Sequence, residues 1–101
     1  MPTKPSTIEF ILDQLAGAGE LRARKMFGEY ALYCDGKVVA LVCDDQLFVK
    51  ITEAGREYVG DKYQEGFADP GARPSLQIDG DLIEDREWLS ELIRLTTASL
   101  L

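Results

Sequence analysis

The chain has 101 residues, the size of one domain, which leaves no room for a second core. It is 46% hydrophobic and 29% charged, close to the globular average, so it can bury enough apolar surface to offset its ordering entropy, while a large enclosed active site is not expected at this size. The net charge is -7 and histidine is absent, which disfavours non-specific DNA binding and excludes serine triads and histidine-based zinc sites.

Ser6-Thr7-Ile8-Glu9 fits a capping box and opens a helix whose apolar positions Ile8, Ile11, Leu12 and Leu15 form one stripe at helical period. Gly17 and Gly19 end it. From residue 21 to residue 51 the period becomes that of strands, with turn signals at Gly28, Asp35-Gly36 and Asp44-Asp45, and predicts four short antiparallel strands. Setting Asp35-Gly36 as a two-residue hairpin loop pairs Cys34 with Lys37, Leu32 with Val39 and Tyr30 with Leu41. Asp44-Asp45 as the next loop pairs Val42 with Leu47, Ala40 with Val49 and Val38 with Ile51. This register puts those six residues with Ala31 and Tyr33 on one almost wholly apolar face. The other carries Tyr30, Leu32, Cys34, Val39, Leu41, Cys43 and Phe48, broken by Lys37, Gln46 and Lys50. That face too is more apolar than a solvated sheet face, so either helices wrap both sides or a partner subunit, as in a homodimer, covers it.

Thr52 caps a short helix over Glu53–Val59, and residues 60–75, with Gly66, Pro70, Gly71 and Pro74, read as a long loop. Such a loop is either functional or a plain connector. A last strand follows at Ser75–Ile78 with a turn at Asp79-Gly80. Asp85 then precedes a closing helix with Trp88, Leu89, Leu92, Ile93 and Leu100 on its core-facing side. The expected fold is α+β: a single domain over residues 1–101 with an antiparallel sheet of about five strands and flanking helices, in the order α-β-β-β-β-α-β-α.

No apolar run approaches the roughly 20 residues that span a bilayer, and residues 1–6 lack the pattern of a signal peptide. A cytoplasmic location without membrane contact is therefore expected, with Cys34 and Cys43 as packing thiols that neither bond to each other nor share a metal. Asp79, Asp81, Glu84 and Asp85 lack calcium-loop spacing and suit turns and caps. The glycines form no phosphate-binding fingerprint. No catalytic residue, cofactor or metal ligand is assigned.

Two groups of residues remain as candidates. Arg22, Arg24 and Lys25, beside Phe27 and Tyr30, form the one basic concentration; it reads as solvated strand edge, as a protein-binding edge, or as a phosphate-contacting edge. Tyr33, Lys50, Tyr63 and Arg73 are expected to converge on a cleft between the 60–75 loop and the sheet. The first pattern suits a module that docks a protein partner, the second a small-molecule-binding domain or minor enzyme.

The run Arg24-Lys25-Met26-Phe27-Gly28-Glu29-Tyr30-Ala31-Leu32-Tyr33, followed by Asp35-Gly36-Lys37 and Val39-Ala40-Leu41-Val42, resembles the N-terminal domain of the TfoX/Sxy family of competence regulators. Leu47-Phe48-Val49-Lys50 continues the likeness, as do the proline-bounded Pro70-Gly71-Ala72-Arg73-Pro74 and the Trp88 helix, so that it covers most of residues 7–97. The resemblance implies an antiparallel sheet with flanking helices and a regulatory role linked, in the bacterial founding members, to competence for DNA uptake. Those members carry a second, C-terminal domain, and a DNA-related role located there does not transfer to a sequence that stops at Leu101. The expectation is a regulatory or protein-interaction module that binds an unidentified protein partner, is not an enzyme, and does not bind nucleic acid directly.

Overall fold

The computed structural model describes residues 3–26 and 29–100. The first helix, α1 (Pro5–Gln14), begins one residue ahead of the capping box. Pro5 takes the first helical position, where its missing N–H would have been an orphan in any case, and Lys4, at the N-cap, gives no side-chain bond. The cap is instead supplied from far along the chain. The Asp45 carboxylate accepts hydrogen bonds from the Lys4 backbone N–H at 2.9 Å and from Thr7 Oγ1 at 2.8 Å. The apolar stripe is as expected, with Ile8, Ile11 and Leu15 buried.

Strands β1 (Leu21–Met26), β2 (Glu29–Cys34), β3 (Lys37–Cys43) and β4 (Gln46–Val49) form an antiparallel meander; the turn signal at Gly28 lies outside the described residues. Asp35 and Gly36 have φ of 52° and 83°, and Asp44 and Asp45 of 54° and 61°. Both turns thus hold two consecutive left-handed residues, the arrangement whose twist matches a two-residue hairpin and which aspartate tolerates better than most side chains.

The β3–β4 register is the expected one for Val42 with Leu47 and Ala40 with Val49, but Val38 does not pair with Ile51 because β4 stops at Val49. Between β2 and β3 the pairing begins as expected, Cys34 with Lys37, and then slips. A bulge leaves Val39 without a residue opposite it on β2, so Leu32 opposes Ala40 and Tyr30 opposes Val42. A one-residue slip moves every later side chain to the other face. Tyr30, Leu32 and Cys34 therefore join Ala40, Val42, Leu47 and Val49 in the core, whereas Ala31, Tyr33, Val38, Leu41 and Phe48 share the opposite face. Cys34 and Cys43, both free, end up on opposite faces rather than on one.

Thr52 caps α2 (Glu53–Val59), its hydroxyl accepting from Gly55 N–H at 3.0 Å. A 3-10 turn at Gly60–Lys62 leads to β5 (Glu65–Gly66), a two-residue strand inside the stretch read as loop. It pairs with β6 (Ser75–Ile78), completing a six-stranded antiparallel sheet in the order β1-β2-β3-β4-β6-β5. Where a turn was expected at Asp79-Gly80, Gly80 opens a one-turn helix, α3 (Gly80–Ile83). The closing helix α4 (Arg86–Ser99) is capped by Asp85, which accepts from Trp88 N–H at 3.1 Å.

All four helices contribute to one core on one side of the sheet, through Ile11 and Leu15, Val59, Ile83, and Leu89, Leu92 and Ile93. Trp88, expected inside that stripe, is only half-buried; it sits at the margin, stacked on Tyr58 with ring centroids 5.6 Å apart. Polar ties fix the helices in place. Gln14 is buried and donates to the Ile83 carbonyl at 2.9 Å, while Ser90 Oγ donates to the Gln14 carbonyl at 3.1 Å. Lys37, at the β2–β3 turn, donates to the carbonyls of Thr97 and Leu100 at 3.3 and 2.8 Å, placing a cation at the negative end of α4. No described helix is long and apolar enough to cross a membrane.

Candidate functional site

The open face of the sheet follows from the ladder, because directly paired residues of an antiparallel sheet point to the same side. One row across the strands reads Arg22, Tyr33, Val38; the next reads Arg24, Ala31, Leu41, Phe48, Gln77. Neither row holds a carboxylate. No described helix covers them. What lies over the distal part is the 67–74 loop, and its approach depends on Gly66. A Cβ built on Gly66 would lie 3.0 Å from both Phe48 Cε1 and Gln77 Cβ and would collide with Gln77 Oε1, so β5 reaches the sheet only because this residue has no side chain.

Loop and sheet enclose a cleft of about 390 Å³. Leu41 and Phe48 rise from the sheet, Ala68, Ala72 and Pro74 come from the loop, and the exposed Lys50 and Arg73 supply charge. Among the described residues the lining is apolar carbon, a serine hydroxyl (Ser75) and two cations, without a side-chain carboxylate or thiol. Cys43 lies on the same face outside the cleft; burial, and then the charges of Glu29 and Asp69, push its thiol above the ordinary value, so it is protonated at neutral pH and a poor nucleophile. Such a lining can bind and orient a ligand but offers no pair of groups for proton transfer. A more open groove of about 490 Å³ lies between α1 and α3 beside Phe10, and there the Asp45 carboxylate is already engaged in capping.

The expected cleft is thus half assembled as read. Lys50 and Arg73 line it, and Tyr33 shares its face beside Val38 without lining it. Tyr63 is elsewhere. Its ring lies under Arg56, 4.9 Å from guanidinium carbon to centroid, and its hydroxyl donates to Glu65 at 2.5 Å, a bond that raises its pKa. The expected basic edge is likewise divided. Arg22 and Arg24 project onto the open face, Lys25 and Tyr30 pair with each other on the helix side, and Phe27 lies outside the described residues. Arg22, Arg24, Lys25, Lys50 and Arg73 have no ion pair or side-chain hydrogen bond among the described residues.

Sequence reading missed Leu41, Phe48 and Ala72 as a shared lining, and missed the exposed Phe67, next in the chain to Ala68 of that lining, which is 60% accessible. The small residues Gly66, Ala68, Gly71 and Ala72 were the available signal, since a loop that must lie close on a sheet needs them. Comparison with known proteins adds the following. The profile of the TfoX N-terminal domain family matches residues 13–100. The chain is also 39% identical over 100 residues to the "Uncharacterized 12.7 kDa protein in trpE 5'region" of Spirochaeta aurantia, covering 99% of this chain and 85% of that protein.

Proposed function

The chain belongs to the TfoX N-terminal domain family, and from that premise we propose that it is a non-catalytic protein-interaction module of regulatory function, docking its partner on the sheet face that the helices leave open. One observation carries the reading. A six-stranded sheet whose described helices lie on one side presents Tyr33, Val38 and Leu41 half-buried and Met26 exposed at 43%, with Phe67, at 60%, on the loop above it, more apolar surface than a purely solvated face needs. The uncompensated Arg22, Arg24, Lys50 and Arg73 around it select a partner with acidic flanks, in a molecule otherwise acidic. The link to competence that the resemblance implies would be exercised through that partner.

The test is site-specific photo-cross-linking from position 67 in the native host. Capture of a defined protein that is lost in Leu41→Asp and retained in Phe10→Asp, a change in the other groove, is the expected result. Capture indifferent to Leu41→Asp would remove the open face from consideration. A second reading, small-molecule binding, draws on the cleft's volume of about 390 Å³, which falls within the range of ligand pockets. It requires a saturable thermal shift with an anionic metabolite that Arg73→Ala abolishes.

A further inference from the structure

Strand β1 closes one edge of the sheet. It is six residues long and pairs with β2 alone. Which of its backbone groups are free follows from the alternation of an antiparallel ladder, where every second residue bonds to the neighbour and the rest point away. Asp35 N–H donates to the Glu20 carbonyl at 2.9 Å, so Glu20 belongs to the bonded set, and counting along the register places Arg22 and Arg24 with it. Cys34 gives the same answer independently. It closes the two-residue turn with Lys37, so its backbone is spent on β3 and not on its β1 partner Leu21. The N–H and C=O groups of Leu21, Ala23 and Lys25 therefore point outward. No described residue outside the ladder bonds to them.

An edge of this length is a template for another strand, and its side chains decide which. Arg22, Arg24 and Lys25 are exposed and unpaired; of the nearby described acids, Glu29 and Asp35 are engaged and the exposed Glu20, just before the strand, is the one that is not. Glu29 accepts from Thr3 Oγ1 and Asp44 N–H, and Asp35 from Glu20 N–H. Paired over the length of the strand, a second copy of the chain fits less well. Antiparallel pairing of two β1 strands about a two-fold centred on Ala23 sets Arg22 against Arg24, and centring on Arg24 sets that arginine against itself; like charges directly opposite destabilise a pair. Building on the interaction-module reading above, we infer that β1 receives an extended acidic segment of a partner protein as a seventh strand, with carboxylates at every second position facing Arg22 and Arg24 on the open face.

The experiment uses the full chain, uniformly labelled with nitrogen-15, and a capped nine-residue peptide alternating Glu and Val. The expected result is a saturable perturbation and slowed hydrogen exchange at the amides of Leu21, Ala23 and Lys25. Binding should weaken about tenfold or more in R22E/R24E, where two favourable cross-strand charge pairs become repulsive. It should also be lost in Ala23→Pro, which removes an outward N–H and leaves the β1–β2 bonds in place; if that variant does not fold, the charge-reversed variant carries the test. A peptide with Lys in place of Glu should not bind. The inference is overturned by absence of binding, by shifts confined to Leu41 and Phe48, by binding indifferent to R22E/R24E, or by an oligothymidylate binding β1 as well as the acidic peptide does. Those outcomes are separable from failure of the broader reading. Cross-linking from position 67 that depends on Leu41 can persist with no peptide bound at β1, and in that case only the added-strand assignment falls.

Discussion

Gly66 is the position where one added methyl group should test both the fold and the site. Its φ lies outside the left-handed region, so space and not backbone conformation demands glycine. In Gly66→Ala the new Cβ meets Gln77 Oε1, Gln77 Cβ and the Phe48 ring. The amide of Gln77 is the end of a flexible chain and can swing aside at the cost of its bond to Gln46 Oε1. Phe48 is 4% exposed, and its ring has no such freedom. Either the ring shifts within packed surroundings or β5 lifts from β6, and overpacking of this kind costs about 1–3 kcal/mol. For a domain of 101 residues each kcal/mol lowers Tm by about 4–8 °C, so a fall of roughly 5–20 °C is expected. The assay is calorimetry of Gly66→Ala beside Gly71→Ala, whose Cβ meets nothing within 4 Å and which should be near neutral. In a Phe48→Leu background the loss should shrink, giving a measurable coupling in a double-mutant cycle. A Tm for Gly66→Ala within a degree of the wild type, or a loss undiminished in the Phe48→Leu background, would refute the close-approach argument.

Three further outcomes follow from the same physical account. Leu92, fully buried in α4, should cost about 2–5 kcal/mol as Leu92→Ala, and Trp88→Ala less, about 2 kcal/mol, because Trp88 is half-buried and loses mainly its stack on Tyr58; the reverse order in urea titrations would mean that α4 is rotated. Glu29 is held below the usual carboxyl range first by the Thr3 hydroxyl and then by Asp44 N–H, and Asp45 by Lys4 N–H and then the Thr7 hydroxyl. Their lowered folded values make the contribution to stability complete above about pH 4, the ordinary carboxyl value, and lost as pH falls through those lower values. Denaturant melts from pH 7 to pH 2 should show a shallower acid loss in E29Q/D45N, and a slope unchanged from the wild type would rule these two carboxyls out as its source. Iodoacetamide should modify Cys43 slowly and Cys34 only on unfolding, since burial and two nearby carboxylates suppress the first thiolate and the core encloses the second; rapid labelling of Cys34 in the native protein would contradict its place in the core.

What the sequence determined by itself was everything set by local chemistry. The spacing of Ile8, Ile11 and Leu15, the Asp35-Gly36 turn, the Thr52 and Asp85 caps and the pairing of Val42 with Leu47 and Ala40 with Val49 each depend on residues a few positions apart, and each is found as expected. The candidate site was legible only in part, Lys50 and Arg73 but not Leu41 or Phe48, because nothing local says which face the 67–74 loop crosses, and the faces of Tyr33 and Val38 were reversed by the bulge at Val39. That bulge is a property of two strands packed beneath helices: Val39 and Ala40 are both buried in the core, and alternation along one strand gives no sign of it. The α1 cap was misplaced for a similar reason. Ser6 and Glu9 satisfy a local pattern, yet Asp45, 41 residues from Lys4, is carried to the helix start by the β3–β4 turn. Tertiary structure alone decided that the four described helices lie on one side of the sheet, since their apolar faces share a single core, and it thereby left the other face, with its unpaired arginines, to be covered only in part, by the 67–74 loop.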